Sequence, residues 1–239
     1  MHKVTPLQIA KMIDHSILHP TFTDRDLEAN CAIAVKYDVA TVCVKPYHVH
    51  QAAALLKGSA VEVCAVIGFP HGNSTPEIKV AETIGVIADG AKEVDMVVNI
   101  GKVLQGDWAY VEAEIHAINE ATVQGGAILK VIFETDFVTR DEDKARLCQI
   151  CSRQKVAFVK TSTGYGFVRN NDGTYHYQGA TERDLRLMRE HCDPGVQIKA
   201  AGGVRNLEQI LHVRSLGVTR VGATATETIM EAAFRQLIS

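Results

Sequence analysis

Residues 93–162 read EVDMVVNIGKVLQGDWAYVEAEIHAINEATVQGGAILKVIFETDFVTRDEDKARLCQICSRQKVAFVKTS, and they show most clearly the pattern of an α/β protein. Short apolar runs rich in β-branched residues begin at Glu93, Ala127 and Val156, and they end in polar or glycine residues. Longer segments with the apolar spacing of a helix lie between these runs. Because parallel strands need long crossover connections, the stretch predicts successive strand–helix units.

The same alternation continues on both sides and gives eight predicted strands. They are IDHSIL from Ile13, VATVCV from Val39, VEVCAVIGF from Val61, EVDMVVNI from Glu93, AILKVIFE from Ala127, VAFVKTS from Val156, VQIKAAG from Val196 and TRVGA from Thr219. The predicted helices run from Asp24 to Tyr37, Pro46 to Leu56, Pro76 to Asp89, Asp107 to Thr122, Thr139 to Gln154, Thr181 to His191, Asn206 to Ser215 and Glu227 to Ile238.

Eight such units favour closure into a (β/α)₈ TIM barrel over an open doubly wound sheet, which remains the alternative. We expect residues 1–239 to form one catalytic domain, with a short helix from Thr5 to Lys11 before the first strand. Three helix starts carry capping signals: Thr23 with Asp26, Thr75 before a proline, and Thr181 before an acidic turn.

Composition narrows the function classes. The net charge is −3 and the basic residues are scattered, so neither nucleic acid nor a membrane surface is an expected partner. The N-terminus is too polar for a signal segment, and the cysteines are expected to be reduced thiols. Cys148 and Cys151 form a C-x-x-C, but their context is helical and favours packing over metal or redox use. We expect a cytoplasmic protein with a small-molecule substrate.

Lysines near strand ends are the first candidates for chemistry, because TIM barrels carry their active sites there. Lys45, Lys130, Lys160 and Lys199 qualify by position. Lys160 precedes a hydroxyl-rich turn that includes Thr163, and Lys199 occupies the equivalent place on the next strand. Two ammonium groups in one pocket repel and lower each other's pKa, which activates an amine nucleophile. The alternative is that each lysine pairs with a carboxylate such as Asp95 or Glu134.

Acidic residues interrupt two of the apolar strands. Asp95 is a candidate for relaying protons to and from a carbinolamine, with a structural ion pair as the alternative. Asp14 is either an assisting group or a strand anchor. Lys130 and Glu134 have equal strand parity and are expected to pair with each other. Cys43 ends the second strand and is either a thiol that touches substrate or a packing residue.

Glycine turns follow the last two strands, where TIM barrels bind phosphate on backbone N–H groups and helix N-termini. Gly202 and Gly203 stand after the seventh strand, and Gly222 and Thr224 after the eighth. We predict a phosphate site there, with tight turns as the alternative, and Arg205 as an additional candidate.

A metal site is not expected. His48, His50 and His71 follow strands, but they are not convincingly placed to converge on a zinc ion with an open position. Residues 164–178 form an unusually long polar segment beside Lys160 and are expected to be a lid or binding loop.

The chain resembles the deoxyribose-phosphate aldolase family. The resemblance rests on seven ordered motifs: IDHSIL, TVCVKP, VIGFPHG, EVDMVVNIG, LKVIFET, FVKTSTG and KAAGGVR. It implies Lys160 as the Schiff-base lysine, Lys199 as the neighbour that lowers its pKa, and Asp95 as the proton-relay acid. It further implies phosphate contacts at Gly202, Gly203, Gly222 and Thr224.

The implied function is a lyase of deoxyribonucleotide catabolism. It reversibly cleaves 2-deoxyribose 5-phosphate to glyceraldehyde 3-phosphate and acetaldehyde, without a metal or organic cofactor. A homodimer is expected. The chain departs from the family at Ala225, where a serine is usual, at Tyr165, where some members have lysine, and in the longer 164–178 segment. The alternatives are a class I aldolase for another aldehyde phosphate and a non-catalytic sugar-phosphate-binding barrel.

Overall fold

The computed structural model describes residues 4–237. The strands are β1 (Ile13–Ile17), β2 (Thr41–Val44), β3 (Glu62–Ile67), β4 (Glu93–Val97), β5 (Ile128–Ile132), β6 (Phe158–Lys160), β7 (Val168–Arg169), β8 (Tyr175–His176), β9 (Gln197–Ala201) and β10 (Arg220–Ala223). Eight of them are parallel and close into a barrel in the order β1-β2-β3-β4-β5-β6-β9-β10. The predicted TIM barrel is therefore confirmed.

Helices connect the barrel strands. They are α1 (Pro6–Ala10), α2 (Asp24–Tyr37), α3 (Val49–Leu55), α4 (Pro76–Ala88), α5 (Ile100–Leu104), α6 (Trp108–Gln124), α7 (Asp141–Arg153), α8 (Glu182–His191), α9 (Leu207–Ser215) and α10 (Thr226–Leu237). Helix α1 confirms the predicted N-terminal helix, and the Thr181 hydroxyl caps α8 by accepting from the Asp184 N–H at 3.1 Å. No helix within residues 4–237 is long and apolar enough to cross a membrane.

Three segments differ from the sequence prediction. The predicted fourth strand ends at Val97, and helix α5 follows it because Asn99 caps that helix by accepting from the Lys102 N–H. The predicted helix from Pro46 to Leu56 begins as a 3₁₀ turn, Pro46–His48. Residues 164–178 contain an antiparallel hairpin of β7 and β8. Of the predicted last helix, Ile238 lies outside the described residues.

Strand register decides which side chains meet inside the barrel. Lys160 on β6 is the Cα partner of Lys199 on β9, and Asp95 on β4 is the partner of Lys130 on β5. Because in-register residues of neighbouring strands point to the same face, each pair projects together into the interior. The register thus brings charged residues that are far apart in sequence into one layer of the barrel.

A buried ion pair between Lys79 and Glu114 lies outside the barrel interior, and the sequence analysis assigned no role to it. The Lys79 ammonium on α4 donates to Glu114 on α6 and to the Val97 carbonyl, both at 2.7 Å. Both side chains are fully buried. A Cβ at Gly68 would come within 2.8 Å of Lys79, so this glycine leaves space for the lysine stem. The pair joins two outer helices to the end of β4.

Candidate active site

A cavity of about 470 Å³ opens at the carboxyl ends of the strands. Its lining includes ten residues predicted from the sequence: Asp14, Cys43, Lys160, Thr163, Lys199, Gly202, Gly203, Arg205, Gly222 and Thr224. Asp95 lies just beneath the cavity and touches two of its lysines. The predicted candidates therefore converge on one site.

The Asp95 carboxylate holds three lysines. Its Oδ2 accepts from the Lys160 and Lys199 ammonium groups, each at 2.7 Å. Its Oδ1 accepts from Lys130, also at 2.7 Å, and from the Cys64 thiol at 3.1 Å. All three lysines and the carboxylate are buried. The ion pairing considered as an alternative in the sequence analysis is present, and it brings Lys160 and Lys199 to one carboxylate oxygen.

Lys199 has a second carboxylate partner, since its Nζ lies 2.5 Å from Oδ2 of Asp14. Burial opposes the charged form of Lys199, but the pairs with Asp14 and Asp95 outweigh it and raise its pKa above the ordinary value. Sequence reasoning expected mutual repulsion to lower the pKa of both lysines. For Lys199 that expectation is wrong, because two carboxylates, Asp14 and Asp95, pair with it and outweigh the repulsion from neighbouring cations.

Burial also disfavours the charged form of both aspartates. The ammonium groups of Lys130, Lys160 and Lys199 nevertheless hold the pKa of Asp95 well below its usual range. Lys199 does the same for Asp14, with smaller contributions from Lys130 and Arg220. Both acids are thus anions, and their charges stabilise the surrounding cations.

Arg220 and Glu93 extend the cluster toward the bottom of the barrel. The Arg220 guanidinium donates to Asp14 at 2.6 Å and to Glu93 at 2.8 and 3.1 Å. Glu93 also lies 2.6 Å from the Lys130 ammonium. The sequence analysis missed both residues. Their signal was strand parity, because Glu93 is two residues from Asp95 and Arg220 is two residues from Gly222.

The predicted pairing of Lys130 with Glu134 is wrong. Strand β5 ends at Ile132, and Glu134 follows with a left-handed backbone, φ +56°, so strand parity no longer applies to it. Its carboxylate instead accepts hydrogen bonds from the backbone N–H and the hydroxyl of Thr163. Burial raises the pKa of Glu134, although the Thr163 hydrogen bonds oppose this. Glu134 fixes the turn that follows Lys160.

The glycine turns lie at the mouth of the cavity. Gly202 and Gly203 have φ of +87° and +91°, a region that residues with a Cβ rarely adopt. A Cβ on Gly202 would meet the Gly179 Cα at 2.8 Å, so the turn packs against the end of the hairpin segment. Arg205 is exposed beside the turn, and no carboxylate among residues 4–237 pairs with its guanidinium. Helix α10 begins just after Thr224 and Ala225.

Two of the three departures from the family pattern, Tyr165 and the 164–178 segment, contribute to the cavity wall, and the third, Ala225, does not. Thr224 lines the cavity, whereas Ala225 packs against the hydrophobic core. Tyr165 lines the cavity and packs edge-on against Phe69, with ring centroids 5.6 Å apart. The hairpin adds an aromatic wall of Phe167 and Tyr177, which also meet edge-on. Sequence reasoning missed this wall, because the pairing that forms the hairpin left no clear pattern.

The remaining candidates lie outside the cavity. Lys45 donates to the backbone carbonyls of His19 and Phe22. His48 is buried and lies 3.3 Å from the exposed Asp24, while His50 and His71 are exposed. Cys148 and Cys151 are buried in α7 within the hydrophobic core, as expected for packing residues.

Two groups among the described residues have metal-compatible spacing: Cys43 with Cys64 and Asp95, and Asp14 with Cys64 and Glu93. Both lie within the charged cluster, where the Lys130 ammonium already contacts all three carboxylates and the Cys64 sulfur. A divalent cation would have to displace this ammonium. The donor set therefore suits lysines better than a metal.

Comparison with known proteins points to one family. A model described as "DeoC/LacD family aldolase" matches residues 8–224. The deoxyribose-phosphate aldolase of Rhodopirellula baltica is 48% identical over 96% of this chain and 90% of its own. A crystal structure described as a deoxyribose-phosphate aldolase from Coccidioides immitis is 31% identical, with a TM-score of 0.88 over 98% of this chain and 88% of its own. The tetrameric deoxyribose phosphate aldolase of Aeropyrum pernix is 26% identical, with a TM-score of 0.84 over 98% and 93%.

Proposed function

The chain belongs to the DeoC/LacD family of aldolases, and we propose that it reversibly cleaves 2-deoxyribose 5-phosphate to glyceraldehyde 3-phosphate and acetaldehyde through a Schiff base on Lys160. Four of the seven motifs, IDHSIL, TVCVKP, FVKTSTG and KAAGGVR, contribute residues to the cavity wall. The family's reacting groups are present as Lys160 and Lys199 in the cavity and as Asp95 in contact with both. The proposed substrate is a small sugar phosphate, and the proposed reaction uses neither a metal nor an organic cofactor.

The observation that carries the proposal is the unequal sharing of carboxylates among the three buried lysines. Lys130 contacts Asp14, Glu93 and Asp95, and Lys199 contacts Asp14 and Asp95. Among the carboxylates within residues 4–237, Lys160 contacts Asp95 alone, at an oxygen that it shares with Lys199. Its ammonium therefore has the fewest carboxylate partners of the three, and it lines the cavity.

The charge of the whole cluster supports the same assignment. Lys130, Lys160, Lys199 and Arg220 face Asp14, Glu93 and Asp95, so four cations meet three carboxylates and the fully ionised cluster has one excess positive charge. Loss of one proton makes the cluster neutral, which low-dielectric surroundings favour. The raised pKa values of Lys130 and Lys199 keep both of those residues charged, so neither is assigned as the nucleophile.

The proposed reaction begins when the neutral Lys160 amine attacks the C1 aldehyde of the open-chain sugar. Asp95, 2.7 Å from this nitrogen, is placed to relay protons as the carbinolamine forms and loses water. The imine then accepts the electron pair released when the C2–C3 bond breaks and the C3 hydroxyl loses its proton. Glyceraldehyde 3-phosphate leaves, the enamine is protonated at C2, and hydrolysis frees acetaldehyde and the amine.

Imine trapping tests the proposed nucleophile. We expect borohydride reduction in the presence of acetaldehyde to add a two-carbon group to Lys160 alone, because this lysine combines a cavity position with the weakest ion pairing. Peptide mass mapping identifies the labelled residue, and EDTA in the reaction tests the absence of a metal requirement. Labelling of Lys199 or Lys130, or EDTA-sensitive labelling that zinc restores, would contradict the proposal. No labelling at all would favour a binding protein over an enzyme.

The phosphate is proposed to bind at the two glycine turns. Backbone N–H groups near Gly202, Gly203 and Gly222 and the start of α10 offer positive electrostatic potential whatever the neighbouring side chains are. The Thr224 hydroxyl and the Arg205 guanidinium are the side-chain donors assigned to the same site. Because Ala225 faces the core, a serine at that position is not expected to supply a further phosphate contact.

We expect Arg205→Gln to reduce the preference for 2-deoxyribose 5-phosphate over 2-deoxyribose. A hydrogen bond to a charged group contributes about 1.5–3 kcal/mol, or roughly 10-fold to 150-fold in the ratio of kcat/KM values. Steady-state rates on both sugars measure the ratio. Arg214→Gln is the matched control, because this exposed arginine lies on α9 outside the cavity. Equal efficiency on both sugars in the unmodified protein would show that the proposed phosphate site is absent.

The cellular setting is also a proposal. Six free, buried cysteines support a reducing compartment, which agrees with the expected cytoplasmic location.

The homodimer expected from the sequence stays a prediction, and light scattering of the purified protein measures the assembly.

A further inference from the structure

Two thiols lie side by side inside the barrel, next to the charged cluster. Cys43 on β2 is the Cα partner of Cys64 on β3, and both side chains point inward. Their sulfur atoms and a carboxylate oxygen of Asp95 lie within 4.8 Å of one another. Neighbouring strands are about 4.8 Å apart, which falls within the roughly 4.4–6.8 Å Cα separation of disulfides. Small side-chain rotations therefore suffice to bring the two sulfurs together.

The two thiols differ in access and in environment. Cys43 lines the cavity, so a small solute that enters it meets this sulfur first. Cys64 lies deeper, where its thiol donates to Asp95 and its sulfur accepts from Lys130, each at 3.1 Å. The neighbouring Cys64 side chain lowers the pKa of Cys43 against the effect of burial, whereas burial raises the pKa of Cys64. This asymmetry suits Cys43 as an attacking thiol and Cys64 as a resolving thiol.

We propose that Cys43 and Cys64 are a dithiol oxidation site, which hydrogen peroxide or a small organic hydroperoxide converts to a disulfide that suppresses the aldolase. In the first step the Cys43 thiolate attacks the terminal O–H oxygen of the peroxide; an S–O bond forms, the O–O bond breaks, and hydroxide leaves from hydrogen peroxide or alkoxide from an organic hydroperoxide. Cys43 is oxidised to a sulfenic acid and the peroxide is reduced. In the second step Cys64 attacks that sulfur; the S–S bond forms, the S–O bond breaks, and the departing hydroxyl takes the Cys64 proton to leave as water.

Formation of the disulfide removes a hydrogen bond that holds the Asp95 carboxylate in place. The Cys64 thiol hydrogen that reaches Oδ1 is lost, and the sulfur turns away from Asp95 toward Cys43. The same carboxylate holds Lys160 and Lys199 through Oδ2, so its displacement misplaces both lysines. Inhibition therefore rests on the proposed function, whereas formation of the disulfide does not.

The test treats the full, reduced chain with hydrogen peroxide and follows aldolase activity together with non-reducing peptide mass mapping. We expect a loss of activity of at least tenfold, a mass decrease of two hydrogen atoms, and a crosslink between the peptides of Cys43 and Cys64. A thiol reductant should restore activity. Cys64→Ala should instead accumulate sulfinic acid at Cys43, and the reductant should not rescue it, because the resolving thiol is absent.

Controls separate this site from the other cysteines. Cys43→Ala, or Cys43→Ser where alanine destabilises the fold, should resist peroxide relative to its own untreated activity. Cys31→Ala removes a buried thiol of α2 and should respond like the parent protein. A crosslink between other cysteines, or inactivation of Cys43→Ala at the parental rate, overturns the proposal. A mapped Cys43–Cys64 disulfide without loss of activity overturns its inhibitory part. If the chain cleaves no deoxyribose phosphate, the mapping still decides whether peroxide joins Cys43 and Cys64 in a disulfide.

Discussion

Replacing Lys199 with leucine is expected to slow cleavage of 2-deoxyribose 5-phosphate by about 10²-fold to 10⁴-fold, the range typical of a positioned acid–base group. In a plot of kcat/KM against pH, the rise on the acidic side (the acidic limb) should also move to higher pH. Lys199 carries a raised pKa, so its charge is present throughout the neutral range. Without that charge, Oδ2 of Asp95 faces Lys160 alone and stabilises its ammonium form. More alkaline solution is then needed to release the neutral amine, and kcat/KM measured against pH shows the shift.

Two comparison variants isolate the effect of the charge. Lys130→Leu removes a buried cation from the same carboxylate, but at Oδ1, the oxygen that does not contact Lys160. It should destabilise the fold to a similar extent while moving the acidic limb less. Lys199→Arg keeps the positive charge and should keep the limb near its original pH, even if the larger group lowers the rate. An unchanged profile in Lys199→Leu would contradict the proposed coupling of the two lysines.

Much of the fold followed from periodicity alone. The runs beginning at Val39, Glu93 and Val196 are β-branched and short, and each is followed by a segment with helical apolar spacing. This local pattern is enough to predict parallel strands and crossover helices, because burial on both faces and connection length are local properties. Barrel closure followed from the number of units. The sequence did not show helix α5, whose five residues are too few for a periodic signal.

The charged layer of the candidate site could be predicted for a related reason. Asp95, Lys160 and Lys199 are charged residues within apolar strands, and such residues rarely occur in a barrel interior without a chemical or pairing role. Their identity could be predicted, but their pairing could not. Whether Lys130 meets Glu134 or Asp95 depends on where β5 ends and on its register with β4, and both are tertiary properties.

The hairpin of residues 164–178 marks the other limit. Its polar, glycine-rich composition indicated a loop, and the pairing of Val168 with His176 has no strong local signal. Its position depends on contacts with distant residues: Asp136 accepts from the N–H groups of Gln178 and Gly179, and Gly202 accepts from Ala180. These contacts place Phe167 and Tyr177 on the cavity wall. The shape of the cavity therefore depends on a segment whose position along the chain could be predicted from the sequence, whereas its orientation could not.

Asp95→Asn is expected to separate imine formation from turnover. Asparagine removes the carboxylate that Lys130, Lys160 and Lys199 share, so four cations then face two carboxylates in the cluster. The larger positive excess favours loss of the Lys160 proton, and borohydride trapping with acetaldehyde should reach half its maximum at lower pH than in the parent. Turnover should nevertheless fall by about 10²-fold to 10⁴-fold, because an amide cannot relay the protons that carbinolamine dehydration and imine hydrolysis require in every cycle. Trapping is read at its end point, where even slow dehydration accumulates the reduced product.

Glu93→Gln is the matched control for this variant. It also removes one carboxylate from the cluster, but Glu93 contacts Lys130 and Arg220 and touches neither Lys160 nor Lys199. Breaking a buried ion pair costs about 3–5 kcal/mol, so both variants should unfold at lower temperature, which thermal denaturation measures. Only Asp95→Asn should combine retained trapping with a large loss of turnover. If both variants lost turnover equally, Asp95 would contribute charge to the cluster and no proton transfer, and the relay assigned to it would have to be abandoned.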